Sequence, residues 1–332
     1  MRILLRADAG EARGTGHVMR CLTLGEALAA RGHSVELVGH LSGAPWLDAH
    51  LSALAIPMHE VPVDSFDPEF ILRLRPDRVV VDSYRIQPES ISAVNEIAPV
   101  LAIVDHDSRG MEASWYLDHN LGAEDRSWPT DVRRRLLAGS RYALVRSAIT
   151  AQRRPAGWRL PAHPSVVAFM GGTDPFRLMT VVASSVARAL PGIQFTAITT
   201  ADQVADVTDT IRTMPYARVL PPTGDLPALL GSADLIVSAA GTSAWDVLTM
   251  GRPTVLVGVV DNQSESLALA LERGLALGFD ATRNDVSGVG PELSRLLADE
   301  SLRRRLVTAA NAMFDGEGPQ RVSTRIEQRP PA

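Results

Sequence analysis

The chain has 332 residues, of which 45% are hydrophobic and 21% are charged, and its formal net charge at pH 7 is −5. This length and hydrophobic content favour two globular domains, each able to bury a core of its own. The acidic balance of charge argues against a nucleic acid or an anionic membrane as partner, because both need a basic surface.

All 33 basic residues are arginines, and the sequence contains no lysine. A Schiff-base lysine and a P-loop lysine are therefore excluded, and with them pyridoxal-phosphate chemistry and Walker-type phosphate transfer. The single cysteine, Cys21, allows neither a disulfide framework nor a cysteine-based metal site. Because neither a signal segment nor an apolar run of membrane-spanning length is evident, we expect a cytoplasmic protein.

The first half of the chain alternates strand-like and helix-like segments. The apolar run at 1–5 predicts a strand, and apolar residues spaced as in an amphipathic helix follow it until Gly32. Further strands are predicted at 34–38, 79–82 and 100–104, with helices at 67–74 and 88–96. This alternation is typical of βαβ units, which form a parallel sheet with helices on both faces and bind ligands at the carboxyl ends of the strands.

A segment rich in proline and arginine, 146–164, interrupts the pattern and predicts an interdomain linker. The alternation then resumes, with strands predicted at 166–170, 195–199, 235–238 and 254–257 and helices at 176–190, 202–214 and 300–313. The sequence therefore predicts two Rossmann-like α/β domains with parallel sheets, at 1–150 and 163–325, that face each other across a ligand-binding cleft.

A glycine-containing turn connects the first predicted strand to the first helix. Gly14 and Gly16 would let the backbone approach a ligand there, and the helix N-terminus offers unpaired N–H groups to an anion. His17, on the first helical turn, could act as a general acid or base near neutral pH; the alternative is a plain tight turn with a surface histidine. A dinucleotide fingerprint is not predicted, because Met19 replaces its third glycine.

None of the eight histidines lies beyond the predicted linker, so a catalytic histidine has to come from the first domain. Among the other histidines, His106 is a candidate of second rank, because it lies at the end of a predicted strand. Asp105 and Asp107 beside it resemble the metal-binding pair of one glycosyltransferase fold, but the surrounding sequence does not match that fold. We therefore predict no metal site.

Two further polar residues follow strand-like segments of the first domain. Tyr84 could hydrogen-bond a sugar or position a water molecule and is the second candidate catalytic residue, although a tyrosine that only caps the strand fits equally well. Asn120 could offer its side-chain amide to a polar ligand.

Three small-residue turns in the second half each follow a predicted strand. Their backbone N–H groups and amides could converge on a diphosphate, helped by the helix dipole. Asp246, one turn into a helix, could accept both hydroxyls of a ribose, or it could be only a favourable first-turn carboxylate. The candidate binding residues of these turns are Gly171, Gly172, Thr173, Gly241, Thr242, Ser243, Asn262 and Gln263.

Several motifs resemble the nucleotide-sugar hydrolases of nonulosonic acid pathways, the PseG/SpsG-type family, typified by UDP-2,4-diacetamido-2,4,6-trideoxy-altropyranose hydrolase of pseudaminic acid synthesis. They span nearly the full chain in order. The matching segments are 6–21, Asp82 with Tyr84, Asp118 with 120–122, 141–146, 171–175, 261–263, and 315–316 with Arg321. The resemblance implies the fold of the B-type glycosyltransferases, GT-B.

The resemblance also implies an activity, namely hydrolysis at the anomeric carbon of a nucleotide-activated amino- or deoxy-sugar, releasing UDP and free sugar without metal or cofactor. His17 matches the proposed catalytic histidine of the family, and Arg6 and Arg20 belong to the matched opening segment. The turn from Thr242 to Asp246 matches the UDP-binding turn.

Two departures from the family pattern lie in the first domain: Ser83 replaces a usual histidine, and His106 replaces a common aspartate. These departures leave the identity of the sugar open. The sequence does not indicate the oligomeric state. The main alternative is a glycosyltransferase of the same fold, which passes the sugar to an acceptor. A third interpretation is a nucleotide-binding sensor without catalytic activity.

Overall fold

The computed structural model describes residues 1–10, 14–42, 46–154, 158–171, 174, 176–282 and 286–331. The chain divides into two compact units. Unit 1 consists of Met1–Val145 together with Gly316–Ala332, and unit 2 consists of Arg146–Asp315. The predicted boundaries, 1–150 and 163–325, therefore differ from this division mainly at the end of the chain, where the last helix belongs to unit 1.

Unit 1 begins as an alternation of strands and helices. In chain order these are β1 (Arg2–Ala7), α1 (Gly16–Ala30), β2 (Ser34–Gly39), α2 (Trp46–Leu54), β3 (Met58–Glu60), α3 (Pro68–Arg73), β4 (Arg78–Asp82), α4 (Pro88–Asn95), β5 (Val100–Ile103), β6 (Trp115–Asp118), α5 (Thr130–Arg133) and β7 (Leu136–Ala138). Short 3-10 helices lie at Ala123–Asp125 and Ser140–Tyr142.

Unit 2 repeats the alternation. Its elements are α6 (Ser147–Thr150), β8 (Ser165–Phe169), α7 (Leu178–Ala189), β9 (Gln194–Ile198), α8 (Val204–Ile211), β10 (Ala217–Leu220), α9 (Leu226–Ser232), β11 (Leu235–Ala239), α10 (Ser243–Thr249), β12 (Thr254–Gly258), α11 (Asp261–Glu272), β13 (Leu277–Asp280), α12 (Val289–Ala298) and α13 (Glu300–Met313), with 3-10 helices at Ala201–Gln203 and Val286–Gly288. The chain then returns to unit 1 with α14 (Gly318–Glu327).

Each unit is built on one parallel sheet. The sheet of unit 1 has the order β3-β2-β1-β4-β5-β6-β7, and that of unit 2 has the order β10-β9-β8-β11-β12-β13. All pairs in both sheets are parallel. Two Rossmann-like α/β units with parallel sheets are what the sequence predicts, and this prediction is confirmed.

The apolar runs of the central strands are explained by burial on both faces of the sheet. In β1, Ile3 and Leu5 pack into the cluster on the α1 side, while Leu4 packs into the cluster on the opposite face. All three side chains are fully buried. Successive residues of a strand point to opposite faces, so a strand covered on both sides needs an unbroken apolar run.

Helix α14 completes the core of unit 1. Val322 and Ile326 are buried against α1, and the carbonyl oxygen of Ile326 accepts a hydrogen bond of 2.9 Å from Arg78 Nε. At its start, a methyl group on Gly318 would lie 2.1 Å from the carbonyl oxygen of Ala143, so only glycine permits this close approach. The spacing of apolar residues in this segment predicts a helix, but it does not predict which of the two units the helix packs against.

The predicted linker, 146–164, begins as a structured part of unit 2. Residues 147–150 form α6, and the buried Arg252 donates to the carbonyl oxygen of Gln152 at 2.9 Å. The backbone N–H of Arg154 donates to the carbonyl oxygen of Met250 at 3.0 Å. These hydrogen bonds involve backbone groups, which do not depend on the hydrophobicity of the side chains. The hydrophobic pattern of the sequence therefore predicts a linker here.

None of the helices in the described part of the chain combines the length and the apolar character that a bilayer crossing requires.

Candidate functional site

The main cluster of polar side chains lies in unit 1, where β1, β4, β5 and β6 end. The ends of these strands, the loops after them and the first two turns of α1 carry histidine, arginine, tyrosine, asparagine and three aspartates. Neighbouring parallel strands bring these residues together although they are far apart in the sequence. The cluster consists of His17, Arg20, Asp82, Tyr84, Asp105, Asp118 and Asn120.

His17 is held by the carboxylate at the end of β4. Its Nδ1 lies 2.6 Å from Asp82 Oδ1. Arg20, one turn further along α1, donates to the same carboxylate through Nε at 2.7 Å and through Nη2 at 2.8 Å. His17 and Arg20 share a helix face because they are three residues apart.

The charge state of Asp82 determines which nitrogen of His17 carries the proton. Burial alone would raise the pKa of Asp82, but the charges of Arg20 and His17 outweigh it and lower that pKa. An ionised carboxylate only accepts hydrogen bonds, so Nδ1 must carry the hydrogen of this contact. Nε2 of the neutral ring is then the basic nitrogen, and it has no hydrogen-bond partner among the described residues.

Arg20 also binds a second carboxylate, that of Asp105 after β5. Its Nη1 lies 3.0 Å and 3.1 Å from the two oxygens of Asp105. The hydroxyl of Tyr84 donates to Asp105 Oδ2, and Asn120 Nδ2 donates to Oδ1 at 2.6 Å. Burial tends to raise the pKa of Asp105, but Arg20 and the hydrogen bond from Tyr84 bring it far below its ordinary value.

Tyr84 contacts both His17 and Asp105. Its ring meets the ring of His17 edge-on, with centroids 4.7 Å apart. Burial and the neighbouring charge of Asp105 raise the pKa of Tyr84 well above its ordinary value, so the hydroxyl remains protonated. Tyr84 therefore donates a fixed hydrogen bond to Asp105, and its oxygen can still accept a hydrogen bond from a ligand. Its raised pKa makes it a poor general acid.

Asp118 and the two histidines around it organise the loops of the cluster. Asp118 is fully buried, accepts backbone N–H groups of His106 at 2.9 Å and Asn120 at 3.0 Å, and binds Asn120 Nδ2 at 2.9 Å. Burial raises the pKa of Asp118. Burial and Arg20 lower the pKa of His119 to about 4, so this histidine stays neutral and accepts a backbone hydrogen bond from Leu144.

His106 occupies the strand end at which the sequence predicts it. Its backbone φ is +71°, in the left-handed region, and its Nδ1 lies 3.9 Å from Asp118 Oδ2 without a hydrogen bond. The ring makes no hydrogen bond to the carboxylates around Arg20. His106 remains a candidate of second rank.

Arg6 is buried near the end of β1 and does not line the candidate site. Its side chain has no exposed surface and forms a two-pronged ion pair with Asp8, at 2.6 Å and 2.9 Å, while Nε binds the carbonyl oxygen of Ser65. Asp8 in turn accepts the backbone N–H of His40 at 2.8 Å. The position of Arg6 departs from the predicted substrate contact, and we assign it to holding the end of β1.

The predicted glycine turn before α1 lies partly outside the described residues, since 11–13 are not described. Gly14 has φ +71° and exchanges two backbone hydrogen bonds with Gly10, at 2.8 Å and 3.3 Å. Gly16 is the first residue of α1, directly before His17. The glycine turn therefore leads directly to His17, the candidate catalytic residue.

A second cluster lies in unit 2, where β11 and β12 end. Thr242 and Ser243 begin α10 after Gly241. A methyl group on Gly241 would come within 3.1 Å of Gln263 Nε2, so the turns after these two strands meet. Gln263 Oε1 accepts the backbone N–H of Val259 at 2.9 Å, which leaves its NH₂ group facing Gly241.

Asp246, the predicted ribose acceptor, is buried on α10 and paired with an arginine that the sequence did not suggest. Arg146 donates to Asp246 Oδ2 through Nε at 3.0 Å and through Nη2 at 2.6 Å. Because both donors bind one oxygen, Oδ1 has no hydrogen-bond partner within the described ranges. Asp246 can therefore still accept a ligand hydroxyl through Oδ1.

The third predicted turn of unit 2 is described only in part. Gly171 follows β8, is exposed and has φ +84°, while Gly172 and Thr173 lie outside the described residues, as does the side chain of Asn262. Asp174 is buried, and its carboxylate accepts the backbone N–H groups of residues 178 and 179 at 2.9 Å each. Asp174 thus caps α7.

Sequence reasoning missed the charged partners that orient the predicted residues. The sequence marks Asp82, Asp118 and Arg146 only as parts of motifs and Asp105 only as a possible metal ligand. One signal was available, since each of the three aspartates follows an apolar strand and parallel strands end at one edge. The described residues contain no group of three or more His, Cys, Asp or Glu side chains arranged to hold a metal ion.

Known proteins share the fold of this chain and, in part, its sequence. No protein-family profile matches the sequence. The spore coat polysaccharide biosynthesis protein SpsG of Bacillus subtilis (strain 168) is 23% identical, over 98% of this chain and 98% of that protein. MurG of Acinetobacter baumannii has a TM-score of 0.69 at 16% identity, over 99% of each chain. The spinosyn rhamnosyltransferase SpnG complexed with thymidine diphosphate has a TM-score of 0.68 at 18% identity, over 99% of this chain and 100% of that one.

The two parallel-sheet units and the solved neighbours define the class. The chain has the GT-B fold of glycosyltransferase-like proteins. Among proteins with this fold it is similar to SpsG, and the similarity extends over nearly all of both chains. The family resemblance predicted from the sequence motifs is thereby confirmed.

Proposed function

We propose that the protein hydrolyses a nucleotide-activated sugar at the anomeric carbon, releasing UDP and the free sugar without a metal ion. The observation that carries the proposal is the arrangement around His17. Asp82 holds Nδ1 as a donor at 2.6 Å, and Nε2 is left as a base without a partner among the described residues. Such a carboxylate–imidazole pair is suited to removing a proton from water.

In the proposed reaction, the oxygen of a water molecule bonds to the anomeric carbon while the bond from that carbon to the diphosphate oxygen breaks. The electron pair of the broken bond leaves with UDP, and the water proton passes to His17 Nε2. The imidazolium is stabilised by Asp82, whose ionisation is maintained by Arg20. Tyr84, fixed by Asp105 and in contact with the His17 ring, would orient the sugar or the water.

We assign the nucleotide to the turns of unit 2. The backbone N–H groups that begin α10, the small residues Gly241 to Ser243 and the NH₂ group of Gln263 suit a diphosphate, which accepts hydrogen bonds only. Asp246 Oδ1 suits a ribose hydroxyl. The thymidine diphosphate named for SpnG supports a pyrimidine nucleotide in this fold, and the family resemblance favours uridine.

The alternative is sugar transfer to an acceptor other than water. It is supported by SpnG, which is named a rhamnosyltransferase and shares the fold over the whole chain. Both reactions break the same bond and need the same nucleotide site. They differ in whether His17 Nε2 takes its proton from water or from an acceptor hydroxyl.

The test is incubation of the protein with a panel of UDP-sugars, including acetamido- and deoxy-sugars of nonulosonic acid pathways, while NMR follows UDP and free sugar. Release without any acceptor, unchanged by a chelator, is the expected result. Release that requires an added acceptor would replace hydrolysis by transfer, and loss of release on chelation would contradict the metal-free reaction.

His17→Ala should abolish release while leaving UDP binding intact. His163→Ala is the matched control, because His163 is an exposed histidine of unit 2. Unchanged turnover in His17→Ala would remove His17 from the mechanism. A wild-type protein that binds UDP but releases nothing from the panel would favour the sensor interpretation.

A further inference from the structure

Arg109 differs from the other arginines around the cluster of unit 1. Arg6 is paired with Asp8, and Arg20 is paired with two carboxylates. Among the described residues, no carboxylate lies within ion-pair distance of the Arg109 guanidinium. It is therefore a cation beside the site whose charge the surrounding protein does not neutralise.

The guanidinium of Arg109 is nevertheless held in place. Its Nη2 donates to the carbonyl oxygen of Ser83 at 2.7 Å, and its Cζ lies 5.1 Å from the centre of the Tyr84 ring. Its backbone has φ +52°, in the left-handed region, and its N–H is bound by Asp107 Oδ1 at 3.0 Å. A loop conformation that ordinary residues rarely adopt thus directs this side chain onto Tyr84.

Two of the three guanidinium nitrogens of Arg109 make no hydrogen bond to the described residues. Nε is buried without a hydrogen-bond partner, and Nη1 makes no hydrogen bond within the described ranges. A partly buried guanidinium gains most from an oxyanion, which it can bind through two parallel N–H groups. The ring of Tyr84 also contacts the ring of His17, with centroids 4.7 Å apart, so an oxyanion on Arg109 would lie near the reacting groups.

We propose that Arg109 is a substrate-binding residue that recognises an oxyanion of the nucleotide sugar. This inference rests on the proposed function and extends it to substrate class. The oxyanion has two possible sources, a carboxylate on the sugar, as in a uronic acid, or the diphosphate itself. The backbone carbonyl of Ser83 holds Arg109 in this position.

The test measures binding by calorimetry on the full chain carrying His17→Ala, so that no ligand is consumed. The ligands are UDP, UDP-N-acetylglucosamine and UDP-glucuronic acid. Arg109→Gln should weaken binding by about 10- to 100-fold, as expected for a charge-assisted hydrogen bond. Weakening of the glucuronic acid compound alone identifies a sugar carboxylate, whereas equal weakening of all three ligands identifies the diphosphate.

Arg85→Gln is the matched control, because Arg85 is an exposed arginine two positions from Ser83 and loses the same charge. Arg109→Lys keeps the charge but loses the fork and should recover only part of the affinity. The inference is overturned if Arg109→Gln binds all three ligands as the parent does, or if Arg85→Gln weakens them equally. Because binding is measured without turnover, these results do not depend on whether hydrolysis is the reaction.

Discussion

The sharpest prediction concerns Asp82→Asn. Asparagine has nearly the size of aspartate, so the buried position after β4 remains filled, but the negative charge between His17 and Arg20 is lost. The amide can also present its NH₂ group to His17, which favours the tautomer with hydrogen on Nε2. The substitution therefore removes both the stabilisation of the imidazolium and the correct orientation of the base.

The size of the effect follows from the geometry. Asp82 Oδ1 lies 2.6 Å from His17 Nδ1, and because the imidazolium charge is spread over the ring, a separation of about 4 Å between charges is appropriate. At an effective dielectric constant of about 20, that pair contributes about 4 kcal/mol. Since about 1.4 kcal/mol corresponds to a factor of ten in rate, kcat should decrease about a thousandfold.

The assay is release of UDP from the best UDP-sugar of the panel, with kcat and KM measured separately. KM should change little, because Asp82 belongs to unit 1 and has no proposed contact with the nucleotide. Asp131→Asn is the control, since Asp131 is an exposed carboxylate of unit 1 that forms an ion pair with Arg135, just after α5. A folded Asp82→Asn protein that retains kcat within about threefold would refute the carboxylate–imidazole mechanism.

Three further predictions concern stability and accessibility. Gly318→Ala places a methyl group 2.1 Å from a backbone carbonyl and should lower Tm by about 2 to 10 °C, whereas Gly192→Ala, with open space around it, should not. The hydrogen bond from Arg31 is the main cause that lowers the pKa of Glu327 to about 2, so its stabilisation is present above the ordinary value near 4.5 and is lost as pH falls toward 2. Thermal melts should therefore show Glu327→Gln to be destabilised near about pH 6 but not near about pH 2, and equal destabilisation at both would refute this linkage. Burial raises the pKa of the Cys21 thiol, so Ellman's reagent should detect it only after denaturation, and rapid labelling of the folded protein would contradict its burial.

The fold was predictable where burial leaves a local pattern. The central strands β1, β4, β5, β8, β11 and β12 are covered on both faces, so each is an apolar run that the sequence displays directly. The strands at or near the sheet edges, such as β3 and β7, have three residues each and carry no comparable run. They form because a neighbouring strand offers free backbone groups, which is information that the local sequence does not contain.

The candidate site was predictable residue by residue but not as a network. His17, Arg20, Tyr84 and Asn120 each follow a strand or begin a helix, which marks them individually. Three of them are joined by Asp105, which binds Arg20, Tyr84 and Asn120 at separations of 85, 21 and 15 positions in the sequence. Contacts at such separations follow from strand order, and strand order is not contained in hydrophobic periodicity.

The return of α14 to unit 1 has a consequence for biosynthesis. Chains are made from the N-terminus and domains tend to fold as they emerge, so the whole of unit 2 leaves the ribosome before unit 1 receives its last helix. Until then the surface that Val322 and Ile326 cover is open to the solvent and to other nascent chains. A polypeptide interrupted anywhere before residue 316 would keep that apolar surface exposed for its lifetime, which makes it a natural substrate for chaperones and proteases.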